Sequence, residues 1–161
     1  MKKFLLFLIL STSFVNAQTP KETITKVLDN WHLAAANANF DKYMSAMTSD
    51  AIYIGTDATE NWTKPQFEAF AKPYFDKGKA WSFTALERHI YLSKDQKTAW
   101  FDELLNTQMK ICRGSGVLIK VGKSWKIQHY VLSITVPNEN SSEVIKTKSL
   151  IEDSLIEKLK K

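Results

Sequence analysis

Cysteine is almost missing from this chain. Cys112 is the only one in 161 residues, so no intrachain disulfide can hold the fold together. It stands inside an apolar strand pattern, where a buried, unreactive thiol is the expected state. Glycine is scarce as well, with five residues, and none builds a phosphate-binding loop. Gly114-Ser115-Gly116 has the wrong spacing for a nucleotide fingerprint and falls within a strand. The three histidines, His32, His89 and His129, are far apart in sequence and show no metal-ligand spacing, so no metal site is expected. No redox-cofactor motif is present, and any chemistry would be cofactor-free acid–base work. Charge of one sign is not concentrated either. The formal net charge of +5 includes two lysines at the very start, and the other basic residues are scattered, which gives no reason to expect a nucleic-acid partner. Several lysines instead close the C-terminal segment, where they complement a helix dipole.

Long hydrophobic runs are also lacking. The one continuous apolar stretch is Phe4–Leu10, well short of the ~20 residues that a spanning helix needs. It follows Lys2-Lys3 and precedes the small-residue exit Val15-Asn16-Ala17. That order is the pattern of a secretory signal peptide cut after Ala17. Residues 1–17 are therefore expected to be removed. No stable membrane anchor should remain, and the mature chain should be periplasmic or secreted.

What remains has the periodicity of a folded domain. Thr19-Pro20-Lys21-Glu22 combines a capping threonine, a first-turn proline and a glutamate, a strong helix start. Ile24, Val27, Leu28, Trp31 and Ala35 follow at helical spacing. A short second helix, capped by Asn39, fits Phe40, Tyr43, Met44 and Met47. Ala51–Gly55 alternates as a strand, with Ile52 and Ile54 on one face and Tyr53 on the other. After a polar loop, Thr63-Lys64-Pro65-Gln66 opens another helix with the stripe Phe67, Phe70, Ala71 and Tyr74. Pro73 is expected to kink or divide it, and Gly78 to end it. From there to Val136 the pattern is strand-like, in runs of about Trp81–Leu92, Thr98–Thr107, Met109–Val121 and Trp125–Val136. Neighbouring strands with short turns predict an antiparallel meander. Asn138–Ser142 is a polar break before a last helix with a narrow apolar stripe, Val144, Ile151 and Leu155. The fold class is α+β, with helices on one face of a curved antiparallel sheet.

Several segments together resemble one family. Tyr53-Ile54-Gly55-Thr56-Asp57 with Glu60 and Trp62, Ala99-Trp100-Phe101-Asp102-Glu103, Arg113 to Leu118 and Trp125 to Ser133 are similar, in order, to the strand signatures of SnoaL-like domains in the nuclear-transport-factor-2-like superfamily. The match runs from about Glu22 to Pro137, giving residues 18–137 as the domain and 138–161 as a C-terminal helical extension. The resemblance implies a cone-shaped barrel, a curved sheet wrapped around N-terminal helices, with a pocket at its open end. It also implies frequent dimerisation through the sheet. It does not select an activity, because the superfamily holds isomerases, cyclases, hydrolases, dehydratases, binding modules and assembly domains.

Candidate site residues follow from that frame. His129 matches the inner-face histidine of the last strand, although Val131 stands where some active members carry a second one. Uninterrupted alternation puts His129 on the face of Trp125 and Ile127, towards the helices. Asp102 and Glu103 are strand neighbours and point to opposite faces, and parity leaves open which one enters the pocket. Either could act as a proton-abstracting base, or pair with a cation such as Arg113 on the next strand. Tyr53, Asp57, Glu60 and Trp62, with Tyr74 and Arg113, are the candidate ligand contacts. Tyr53 could donate to a developing oxyanion, whereas Asp57 and Glu60 could simply hold their loop. Trp31, Trp62, Trp81 and Trp100 are expected to divide between core and pocket lining.

Three function classes remain. The leading one is a module that binds a small apolar or mixed-polarity molecule. The others are a cofactor-free isomerase, lyase or hydrolase, and an assembly domain acting through its sheet face. Apolar residues on both sides of the last strand point to a homodimer, since one helix layer covers only one side.

Overall fold

The computed structural model describes residues 18–160, so the expected leader, residues 1–17, lies outside the described residues. Helix α1 (Pro20–Ala36) begins at the expected capping box. Thr19 Oγ1 accepts from the Glu22 amide, and Glu22 returns a carboxylate oxygen to the Thr19 amide. It buries Ile24, Leu28, Trp31, His32, Ala34 and Ala35. Helix α2 (Phe40–Ser45), capped by Asn39, ends before Met47, which opens strand β1 (Met47–Ile54) rather than extending the helix.

A polar loop leads to the short β2 (Asn61–Thr63) and to α3 (Lys64–Asp76). Pro73 neither divides nor ends α3. A proline removes the hydrogen bond to the carbonyl four residues back, here that of Ala69, which is exposed and can turn to water. The helix stops at Gly78, whose φ of 69° suits glycine.

Strands β3 (Thr84–Leu92), β4 (Thr98–Thr107), β5 (Lys110–Val121) and β6 (Ser124–Ile134) form the expected antiparallel meander. The sheet order is β2-β1-β6-β5-β4-β3, and β1 runs parallel to β6, so the sheet is mixed. Helices α1 and α3 lie on one face. Tyr53, Tyr130, Gly116, Phe101 and Ile90 line up across β1, β6, β5, β4 and β3 on that inner face and are all buried. The adjacent row, Ile52, His129, Val117, Trp100 and Tyr91, faces the other way and is partly or largely exposed.

The last strand departs from simple alternation. Val117 pairs with His129 but Leu118 pairs with Ile127, so Gln128 is an extra residue, a β-bulge. One extra residue reverses the parity of everything after it. Trp125 and Ile127 face inward, and so do Tyr130 and Leu132, while His129 and Val131 turn outward. The expectation that His129 shares the inner face is corrected on this ground.

A single-turn 3-10 helix (Asn138–Asn140) precedes α4 (Ser141–Leu159), which buries none of its residues. Among the described residues no helix is long and apolar enough to cross a membrane.

Candidate functional site

The strands β1 and β2 set Tyr53 opposite Trp62. Helix α3 lays Phe67 against Tyr53, ring centroids 3.9 Å apart and nearly parallel, and Phe70 against Trp62 at 4.5 Å. Phe67 and Phe70 are three residues apart, one turn of one helix face. The segment between α3 and β3 adds Trp81 and Phe83, and β6 adds Leu132. The β4–β5 turn closes the far side with Gln108 and Met109. That turn is held by Thr107, whose hydroxyl accepts from the Met109 amide at 2.9 Å and donates to the Lys110 carbonyl at 2.9 Å. The result is a cavity of about 140 Å³ at the open end of the sheet.

Its polar groups are few. Glu60 and Thr56 come from the β1–β2 loop and Gln108 from the turn. Glu60 Oε2 accepts from the Asp57 amide at 3.1 Å and lies over Gly55. A Cβ at position 55 would sit 2.2 Å from that oxygen, so glycine is what admits the carboxylate. Asp57 does not line the cavity. Its Oδ1 accepts from the amide and hydroxyl of Thr59, and the hydroxyl bond foremost holds this carboxyl below the usual range. Burial, then the Glu60 charge, pushes the Tyr53 hydroxyl above its usual pKa.

Glu103 is the inward member of the Asp102–Glu103 pair and is 1% exposed, yet it does not line this cavity. Oε1 accepts from His32 Nε2 at 2.8 Å and from the Tyr130 hydroxyl at 3.3 Å. Oε2 takes Arg88 Nε at 2.8 Å and meets Nη2 at 2.7 Å. Arg88 reaches on to Asp29 of α1 at 2.7 Å. Burial alone would raise the Glu103 pKa, but the hydrogen bond and charge from His32, then Arg88, hold it below the ordinary value. The cation that pairs with Glu103 is thus Arg88 on β3, not Arg113. Gly114 is required here, because a Cβ would come 2.4 Å from the Tyr130 hydroxyl.

The remaining candidates lie elsewhere. Asp102 faces outward and meets His89 Nδ1 at 3.0 Å, a bond that raises the histidine's pKa. Arg113 is exposed on the same outer face, in register with Leu104 and Ser133. His129 is outward and half-buried. Tyr74, on the exposed side of α3, is absent from the cavity wall. The structure therefore brings Tyr53, Glu60 and Trp62 together and separates them from His129, Asp102, Glu103, Tyr74 and Arg113. Sequence reasoning missed Phe83, Gln108, Met109 and Leu132. Only Thr107, a hydroxyl placed to hold a turn, could have flagged the Gln108–Met109 connection.

A larger groove of about 530 Å³ runs between α1, α2 and the start of β6, where asparagines, serines and lysines alternate with Val27, Trp31, Leu33 and Trp125. Of the candidate residues only Trp31 reaches it.

The SnoaL-like domain model matches this chain over residues 24–137, the span that holds α2, α3, the meander and the aromatic cavity. The chain belongs to the SnoaL-like domain family. Solved structures similar to this SnoaL-like chain include an NTF2-like protein of unknown function from Pseudomonas putida, with a TM-score of 0.62, 11% identity, and coverage of 77% of this chain and 94% of that one. An NTF2-like protein from Cytophaga hutchinsonii has a TM-score of 0.62 at 15% identity, covering 73% of this chain and all of the other. A candidate dehydratase of the NTF2-like family from Streptomyces avermitilis has a TM-score of 0.63 at 13% identity, with 74% and 100% covered. At these identities the likeness is one of fold. Among curated proteins none matches the chain.

Proposed function

We propose that this SnoaL-like domain binds a small, largely apolar molecule in the aromatic cavity between β1, β2, α3 and the β4–β5 turn. The observation that carries this reading is the lining: six aromatic side chains surround a cavity of about 140 Å³, with Thr56, Glu60 and Gln108 as its polar, non-aromatic side chains. Such a composition, apolar walls with a few polar anchors, is that of a ligand pocket. The acid–base alternative needs a free base beside the ligand. Glu103 has both oxygens engaged, and Asp102 and His129 lie on the opposite face of the sheet, which leaves Glu60 as the carboxylate placed for that role. The candidate dehydratase among the structural relatives keeps that chemistry in view for the fold.

The domain is further proposed to act outside the cytoplasm, on the strength of its leader, and as a homodimer, on the strength of the outer row Ile52, Val117, Trp100 and Tyr91. Trp62 and Trp81 line the cavity and supply the test. Toluene and p-cresol should quench tryptophan fluorescence saturably and raise the melting temperature. Met109→Trp, which fills the cavity, should remove both effects while the protein stays folded. Quenching that never saturates, or that survives in Met109→Trp, would overturn the reading.

A further inference from the structure

Resting on that reading of the cavity, we infer that its ligand is a small organic cation, an alkyl- or arylalkyl-ammonium. Three observations converge. First, the walls include Tyr53, Trp62, Phe67, Phe70, Trp81 and Phe83, and aromatic rings attract cations through their quadrupole. Second, among the described residues no lysine, arginine or histidine lines the cavity, although the chain as a whole is basic. In a protein with surplus positive charge, a pocket that admits only a carboxylate is a local reversal of sign. Third, that carboxylate has a defined position. Gly55 leaves the space that Glu60 Oε2 occupies, and the Asp57 amide holds that oxygen, while among the described residues no donor takes the other. A cation entering here exchanges water for a carboxylate and ring faces or edges in a half-enclosed space, where charge–charge attraction is stronger than in bulk solvent.

Three probes of one shape isolate the charge: choline, its neutral isostere 3,3-dimethylbutan-1-ol, and the anion 3,3-dimethylbutanoate. Titrated against tryptophan fluorescence, choline should bind at least tenfold more tightly than the alcohol, and the anion should bind weakest. Glu60→Gln can still accept from the Asp57 amide, so the loop should hold while choline affinity falls about tenfold and alcohol affinity stays put. Gly55→Ala should produce the same selective loss, since its methyl group would displace the carboxylate. If the alcohol binds as well as choline, or if Glu60→Gln weakens both equally, the cation inference falls and the apolar pocket stands. If none of the three binds, the inference falls, and the toluene and p-cresol titrations decide separately whether the pocket reading falls with it.

Discussion

A carboxylate that accepts three hydrogen bonds and closes an ion pair is poorly placed to take a proton in transit. Glu103 is in that position, accepting from His32, Tyr130 and Arg88 Nε and pairing with Arg88 Nη2. Its work is structural: it ties α1 to β3, β4 and β6 from inside the core, with Arg88 carrying the tie to Asp29. Removing one member of a buried ion pair leaves the other uncompensated, so Glu103→Gln should lower stability by about 3–5 kcal/mol in urea denaturation. Binding to the folded variant's aromatic cavity should be unchanged, because Glu103 does not line it. The same residue sets an acid limit. Its folded pKa lies below the ordinary value of 4.5, so the folded state takes up this proton less readily than the unfolded chain. The stabilisation is complete above that ordinary value and is lost as pH falls through it towards the folded pKa. Wild type should therefore show a stability loss in that acid window that Glu103→Gln lacks, and thermal unfolding followed from pH 6 down to about pH 3 checks it.

At the level of elements, one inserted residue decides the face of half a strand. The Gln128 bulge turns Tyr130 into the core, where it meets Trp31 edge-on at 4.7 Å and donates to Glu103, and turns His129 out. Opposite it, β5 carries Gly114 and Gly116, which leave room for Tyr130 and Phe101. Helix α4 stands at the other extreme. Leu150 is 88% exposed and no α4 residue is buried, although Ile151 and Leu155 flank a shallow groove with the Thr56–Thr59 loop. Surface contacts of that kind contribute little. A chain ending at Pro137 should keep its melting temperature within a few degrees of the full-length value, as read by circular dichroism. A large drop would mean that α4 packs against the domain or a second copy.

For the molecule as a whole, the open question is the outer sheet face. Trp100 is 48% exposed and stacks on Tyr91 at 5.8 Å, with Val117, Ile52 and Val131 beside them. Apolar groups gathered in this way on one surface mark an interaction site. The homodimer proposed above would cover them. The bulge specifies where to test it: Tyr130 and Leu132 are core, so a charge there would unfold the protein, whereas Val131→Glu or Trp100→Glu changes only the outer face. Either variant should be monomeric by light scattering at concentrations where wild type is a dimer, with thermal stability otherwise preserved. A monomeric wild type would remove the proposal.

The order of elements was legible in the sequence because caps, prolines and apolar periods are local signals. Thr19 to Glu22, Thr63 to Gln66 and Gly78 mark helix ends without help from the rest of the chain. Tyr53, Glu60 and Trp62 were also legible, through the family resemblance, and the short loop between the paired strands β1 and β2 keeps them together. Pairings distant in sequence were not. Arg88 beside Glu103, Met109 beside Trp62's cavity and β1 running parallel to β6 arise only when the sheet assembles. The position of His129 shows why. Alternation assigns a face only as long as no residue is inserted, and a bulge is defined by the partner strand, here β5 passing from Val117 to Leu118 while β6 passes from His129 to Ile127. The sequence by itself determined three of the helix starts, the four-strand meander and the family of folds, but not the short strand β2 or the start of β1 at Met47. Tertiary structure alone decided which carboxylate is locked in the core and which stands in the pocket, because burial and partners belong to the folded chain and not to the residue.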